Sequence, residues 1–303
     1  MKKNQALLGK LALLATAILW GTSFVVLKNT LDSIGTLWVL ALRFTFSALI
    51  MLCVTFRSVR HASARCLKGG AWMGAALAAA YIVQTYGLVY TTPGKNAFLT
   101  STYCVLTPFF SWAVYRRRPE LSHLIAAVLC VAGIGFISLS EGFTDVNVGD
   151  LLTLFCGVFY SIHILLIERF SDSGDAATLS TLQFAVAACI CWIGALLFES
   201  PPVNVPAEAW LSVAYLTVMC TALCFFLQVW GMQYTPSATA AMIMTLESVF
   251  GVLVSILFYH EIVTAKISLG FALIFAAVLI AELKPFRASG PVRSEEEPCV
   301  NSN

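Results

Sequence analysis

YTPSATAAMIMTLESVFGVLVSILFY, residues Tyr234–Tyr259, is a long apolar run that opens at the Thr235-Pro236 step. Its single charge, Glu247, stands near its middle. About 20 apolar residues cross a bilayer as a helix, so this length predicts a membrane span with Glu247 near the midplane. An ionisable group at that depth is costly and marks a functional site by default. The stretch also has an echo. Gln84-Thr-Tyr-Gly87-Leu-Val-Tyr90-Thr91 returns as Gln228-Val-Trp-Gly231-Met-Gln-Tyr234-Thr235, an offset of 144. The carboxylate therefore sits in one copy of a repeated unit.

The whole chain has the same character. Of its 303 residues 59% are hydrophobic and 11% charged, and mean hydropathy is +0.85. A soluble domain is about one quarter charged. This chain has too few polar residues to give its helices solvent faces, which makes it an integral membrane protein. Most of the ten cysteines lie inside apolar runs, and none shows CxxC spacing. They read as small packing residues. Lys2 and Lys3 before an apolar run with Ala15-Thr-Ala17 resemble a secretory signal. The run continues through Trp20 to Leu27, so it reads as an uncleaved first span.

Runs bounded by charge, Pro or Gly predict ten helices, near 11–28, 34–56, 69–91, 95–115, 120–140, 150–168, 177–198, 208–231, 236–259 and 264–283. Strands of a β-barrel would be shorter and alternating. With the N-terminus inside, fourteen Lys and Arg fall in cytoplasmic segments, Arg57, Arg60, Arg65 and the Arg116-Arg117-Arg118 run among them. Three, Lys28, Lys95 and Lys266, fall outside, and Arg43 lies within a span. Basic residues accumulate on the cytoplasmic side, which predicts ten spans with both termini cytoplasmic. The expected location is the cell membrane. Residues 1–10 read as a cytoplasmic N-terminus and 284–303 as a disordered tail.

A second organising pattern is the repeat. Leu42-Arg43-Phe44 is matched by Leu182-Gln183-Phe184, and Trp20-Gly21 by Tyr160-Ser161, both at an offset of 140. In spans 4 and 9 the offset returns toward 140 if Thr107-Pro108 matches Glu247-Ser248. Five spans per copy is an odd number, so the second copy enters from the opposite side. The expected fold is all-α: ten transmembrane helices as two inverted five-helix repeats, residues 11–140 and 150–283.

Trp20-Gly-Thr-Ser-Phe24 with Lys28, Tyr90-Thr-Thr-Pro-Gly-Lys-Asn-Ala97, and Thr245-Leu-Glu247-Ser-Val-Phe250 together resemble the drug/metabolite transporter superfamily, EamA type. The resemblance covers roughly residues 10–283. It departs at Ser248, where the family often has Pro, and at His260-Glu261, where it often has Gly-Glu. The resemblance implies a ten-helix carrier of small organic solutes, often amino acids or other metabolites moved outward.

Glu247 is the first candidate for the chemistry. A carboxylate that changes protonation near a solute couples transport to protons, or pairs with an ammonium group. Arg43 is the second. It holds a solute carboxylate by two hydrogen bonds, pairs with Glu247, or ties helices together. Its repeat partner Gln183 is polar but uncharged. Gln84 and Gln228 line a cavity or tie helices. His163 stands alone in span 6, as packing or a proton relay. Trp20 and Tyr103 offer aromatic faces. Pro93, Gly94 and Pro236 start matching spans. Pro108 lies inside span 4, where loss of a backbone bond predicts a kink or a gate hinge.

Other classes fit less well. There is no HExxH zinc helix, no P-loop and no clustered Asp/His set within the spans. A channel needs a repeated filter or a charged ring. A receptor or channel is the alternative, and an intramembrane enzyme ranks below it. The expected partners are a small-molecule solute, the lipid bilayer and protons, without nucleic acid, metal or cofactor. Two halves form a complete pathway, so a functional monomer is expected.

Overall fold

The computed structural model describes residues 2–116, 119–138, 147–170, 173–234, 243–244 and 246–283. Among these every regular element is a helix. In chain order they are α1 (Lys2–Leu31), α2 (Thr36–Arg60), α3 (Ala64–Tyr90), α4 (Pro93–Thr100), α5 (Tyr103–Tyr115), α6 (Leu121–Ser138), α7 (Val148–Phe170) and α8 (Ala176–Phe198). α9 (Ala207–Thr217) runs through a π turn, Val218–Leu223, into α10 (Cys224–Tyr234). α11 (Leu246–Phe258) and α12 (Ala265–Leu283) follow.

Among the described residues seven stretches are long and apolar enough to cross a membrane, two of them the joined rods Pro93–Val114 and Ala207–Gln228. Three shorter apolar helices accompany them. With these lengths the chain is a multi-pass membrane protein.

Local chemistry sets the helix starts. Ser63 caps α3 by accepting from the Cys66 amide, and Asp175 caps α8 by accepting from the Thr178 amide. α4 starts on Thr92 with Pro93 in its first turn, where a missing N–H costs nothing. The rod predicted at 95–115, with Pro108 inside it, is not one continuous helix. It breaks earlier, at Ser101-Thr102. There the Ser101 hydroxyl donates to Phe98 O and the Thr102 hydroxyl to Leu99 O, each at 2.7 Å. Such back-bonds compete with the helical ladder. Pro108 then sits within α5, which continues to Tyr115.

Several helices pack in antiparallel pairs. In α2 and α8, Leu37 lies by Gly194 at one end, and at the other the Thr55 and Thr181 hydroxyls are 2.8 Å apart. In α3 and α7, Gly87 lies against Gly149, and at the far end Gly69 lies against Phe170. In α1 and α10, Leu13 meets Gly231, while Trp20 meets Cys220 in the π turn just before α10. α4 crosses α11 where Ala97 meets Gly251. α6 and α12 meet at Gly133 and Gly270; a Cβ on either would lie 2.8 Å from the other's carbonyl oxygen. Without a hydrophobic drive inside a bilayer, such close approach supplies the packing energy.

One end of the molecule is tied across these pairs. The Glu199 carboxylate, after α8, accepts from the Leu37 and Trp38 amides that open α2 and from the Tyr86 hydroxyl at 2.9 Å. Glu261, after α11, accepts from the Gly94 amide at 2.9 Å and from the Thr92 and Ser255 hydroxyls. Both carboxylates sit at helix N-termini, where the backbone favours negative charge. Lys28 donates to the carbonyls of Leu88, Val89 and Thr91 at 2.7, 2.8 and 3.1 Å.

Candidate functional site

A cavity of about 120 Å³ lies between α1, α2, α3, α4, α5, α7, the α9–α10 rod and α11. That is roughly ten times what one water needs. Seven sequence candidates line it: Trp20, Arg43, Gln84, Tyr103, His163, Gln228 and Glu247. The eighth, Gln183, stands directly behind it, its Oε1 2.8 Å from His163 Nε2.

The lining is itself repeated. Trp20 and Tyr160, Ser23 and His163, Phe24 and Ile164, and Leu27 and Ile167 all line the cavity, each pair 140 residues apart. So do Tyr81 with Phe225, and Gln84 with Gln228, each 144 apart. Leu27 and Ile167 occupy opposite ends of the cavity, because Lys28 reaches the end of α3 while Phe170 packs against its start. Leu27 is 5% exposed and Ile167 38%.

The change of offset has a structural cause. α3 and α9 start 143 residues apart, at Ala64 and Ala207, whereas Gln84 and Gln228, beyond the π turn, are 144 apart. The additional residue is accommodated by the π turn, and the longer connection 199–206 takes up the rest. The ends of α5 and α11, Tyr115 and Phe258, differ by 143.

Arg43 is 2% exposed. Its Nε donates to Thr221 Oγ1 at 2.5 Å and its Nη2 to Cys220 O at 3.4 Å. Its guanidinium carbon lies 4.9 Å from the centre of the Tyr81 ring, within cation–π range. Of the roles left open for Arg43, a pair with Glu247 is not made among the described residues; the two charges line one cavity separately. Glu247 lies in the first turn of α11. α1 and α11 run the same way and Gly21 meets Phe250, so Glu247 is level with about the middle of the span Gln5–Leu31. None of the described residues hydrogen-bonds its carboxylate.

A polar wall faces these charges from α3, α4 and α7. Tyr160 OH donates to Gln84 Oε1 at 2.8 Å, and Gln84 Nε2 donates to Thr100 Oγ1 at 3.0 Å. Asn96 Nδ2 donates to Gln84 O at 3.3 Å and to Thr153 Oγ1 at 2.7 Å. Both acceptors fix the amide orientation, and Asn96 Oδ1 is buried without a partner. Sequence reasoning missed Asn96, Thr100 and Tyr160 as site residues. Asn96 stands in the quoted Tyr90–Ala97 motif, and Tyr160 is the repeat partner of Trp20, so the signal was present. Pro93 and Gly94 stand at the start of α4 beside Glu261, away from the cavity lining. Pro108 does not line it either. Pro236 lies outside the described residues.

One cation, one carboxylate and several amides line the cavity between aromatic faces, the kinds of group that take the place of water around a polar solute. The profile of the EamA-like transporter family matches residues 7–139 and again residues 147–283. The chain belongs to the EamA-like transporter family. An uncharacterized transporter of Archaeoglobus fulgidus is 32% identical over 274 residues, covering 90% of this chain and 85% of that protein. The uncharacterized transporter YetK of Bacillus subtilis is 23% identical over 300 residues, covering 94% and 90%. A protein of known crystal structure shares the fold, with a TM-score of 0.67 at 19% identity over 95% of this chain and 99% of that one. This EamA-like chain is therefore a membrane-spanning transporter, and the cavity is its candidate solute site.

Proposed function

We propose that this EamA-like transporter is a secondary carrier that exports small organic metabolites, amino acids among them, across the cell membrane by alternating access. Its two halves, 11–140 and 150–283, act as five-helix repeats of opposite orientation. Ten spans leave both termini cytoplasmic, and protons are the coupling ion. One protein molecule contains the whole pathway. The observation that carries the reading is the central cavity, where Arg43 and Glu247 face one space whose lining repeats between the halves. Two halves inverted about a shared site give two openings from one packing.

Three further observations support it. The counterpart pairs α2 with α8 and α6 with α12 pack antiparallel. Exchanging the halves also turns the α3–α7 pairing into the α1–α10 pairing. Lys28, Lys95 and Lys266 stand at the end tied by Glu199 and Glu261, whereas Arg57, Arg60, Arg65, Lys68 and Arg169 stand at the other. That segregation supports a cytoplasmic location for the basic end.

The test is uptake and efflux of a radiolabelled amino-acid and metabolite panel in proteoliposomes under an imposed pH gradient. Wild type is compared with Glu247→Gln. The reading predicts that wild type moves a solute, that the gradient drives it, and that Glu247→Gln exchanges solute without responding to the gradient. An identical gradient response in both proteins removes Glu247 from coupling. No movement across the panel refutes the amino-acid assignment.

A further inference from the structure

We infer that the π turn Val218–Leu223, acting through Thr221 and the Cys220 carbonyl, is a positioning device that presents the guanidinium of Arg43 to an anionic group of the solute.

A π turn is rare and is found mostly as a single widened turn, often at functional sites. Here its effect on hydrogen bonding is specific. In an α-helix the Cys224 amide would bond to the Cys220 carbonyl. Instead it reaches Met219 O, one residue further back, and Thr221 O. The Cys220 carbonyl is thereby released from the helical ladder. It accepts from Trp20 Nε1 at 2.9 Å and from Arg43 Nη2 at 3.4 Å. Thr221 gains a defined direction in the same way. Its hydroxyl donates to Leu216 O, five residues back, at 2.9 Å, which commits its hydrogen and leaves the oxygen to accept from Arg43 Nε. Two cavity-lining side chains from α1 and α2 are thus anchored on one turn of the second half.

The anchoring is incomplete in an informative way. A guanidinium has five N–H donors in a planar fork. The π turn takes two, on one edge, and the Tyr81 ring covers a face. Nη1 has no partner among the described residues, and it is absent from the sealed, unpartnered polar atoms. Arg43 lines the cavity, and the inference places Nη1 toward it. A desolvated cation with an unfilled, oriented edge matches a planar two-oxygen anion, since carboxylates take that fork with parallel hydrogen bonds. Only one half of the chain carries this device: Gln183 stands where Arg43 would repeat and bonds to His163 instead. The inference rests on Arg43 facing the solute, and not on which solute is carried.

The test uses acetate alone as the probe, on full-length protein in nanodiscs with ¹⁵N-labelled arginine. Arg43 side-chain resonances are assigned by their loss in Arg43→Lys. In wild type the Arg43 Nε–H is expected to exchange slowly, and acetate is expected to move the Nη resonances saturably. Thr221→Val is expected to release the Nε–H and weaken the acetate response by roughly tenfold or more, the scale of one hydrogen bond to a charged group. Thr221→Ser keeps the acceptor and is expected to restore both. Thr221→Ala serves the same purpose if the valine variant does not fold. An unchanged Nε–H and acetate response in Thr221→Val or Thr221→Ala overturns the positioning role. Failure of acetate to move the wild-type resonances overturns the anion site. Neither result bears on whether the solute panel is transported, so the two readings fail separately.

Discussion

The Glu261 carboxylate accepts from the Gly94 amide at 2.9 Å, which ties the loop after α11 to the first turn of α4. The same carboxylate takes the Thr92 and Ser255 hydroxyls. Glu261→Ala leaves these donors without their acceptor and is expected to cost about 2–3 kcal/mol. Glu261→Gln keeps an acceptor and is expected to cost less. Thermal unfolding followed by size-exclusion chromatography in detergent orders the three proteins. An alanine variant as stable as wild type would remove this tie from the account.

Close backbone approach predicts which glycines are irreplaceable. A Cβ on Gly21 would lie 2.6 Å from Phe250 Cβ and 2.9 Å from the Gly251 amide nitrogen. Gly21→Ala is expected to destabilise by about 1–3 kcal/mol through overpacking. Gly135 has nothing within 4 Å of the same position. Gly135→Ala is expected to be neutral or stabilising by about 0.5–1 kcal/mol, because alanine loses less entropy in a helix. Equal behaviour of the two variants contradicts the packing described for α1 and α11.

His163 and Gln183 are buried together. Gln183→Leu strands the imidazole and is expected to cost about 1–3 kcal/mol. Combined with His163→Phe the loss should be much less than additive, since a shared bond is removed once. Additive losses in a double-mutant cycle would mean that the 2.8 Å contact is energetically idle.

Pro108 offers a test of where the fourth rod bends. The break at Ser101-Thr102 is held by its own side-chain bonds. Pro108→Ala restores one donor without touching them, so transport is expected to be unchanged. Thr102→Val removes a back-bond at the break and is expected to alter the transport rate. A large effect of Pro108→Ala with none from Thr102→Val would return the hinge to the proline.

Much of the site was legible residue by residue. A lone carboxylate and a lone guanidinium in apolar runs are conspicuous because lipid penalises them. The Gln84 and Gln228 pair was legible because both copies carry it. Asn96 and Thr100 were not singled out. Each is a common polar residue near a helix start, and only the fold turns Asn96 toward Gln84 and Thr153. The Arg43 partner was open for another reason. A guanidinium reaches far along its stem, and the π turn that captures it depends on one inserted residue in an apolar run that reads as continuous helix.

The amino-acid sequence by itself determined that the chain is helical and spans a membrane, which residues carry charge inside it, and that its two halves repeat. These follow from the period and length of apolar runs and from where lysine and arginine fall, which are properties of local stretches. Only the tertiary structure decided that Arg43 bonds to Thr221 rather than to Glu247, and that the fourth rod breaks before its proline. It also brought Trp20 and Tyr160, 140 residues apart, onto one cavity. Those outcomes depend on which helices lie within hydrogen-bond reach, and that is set by packing among segments far apart in the chain.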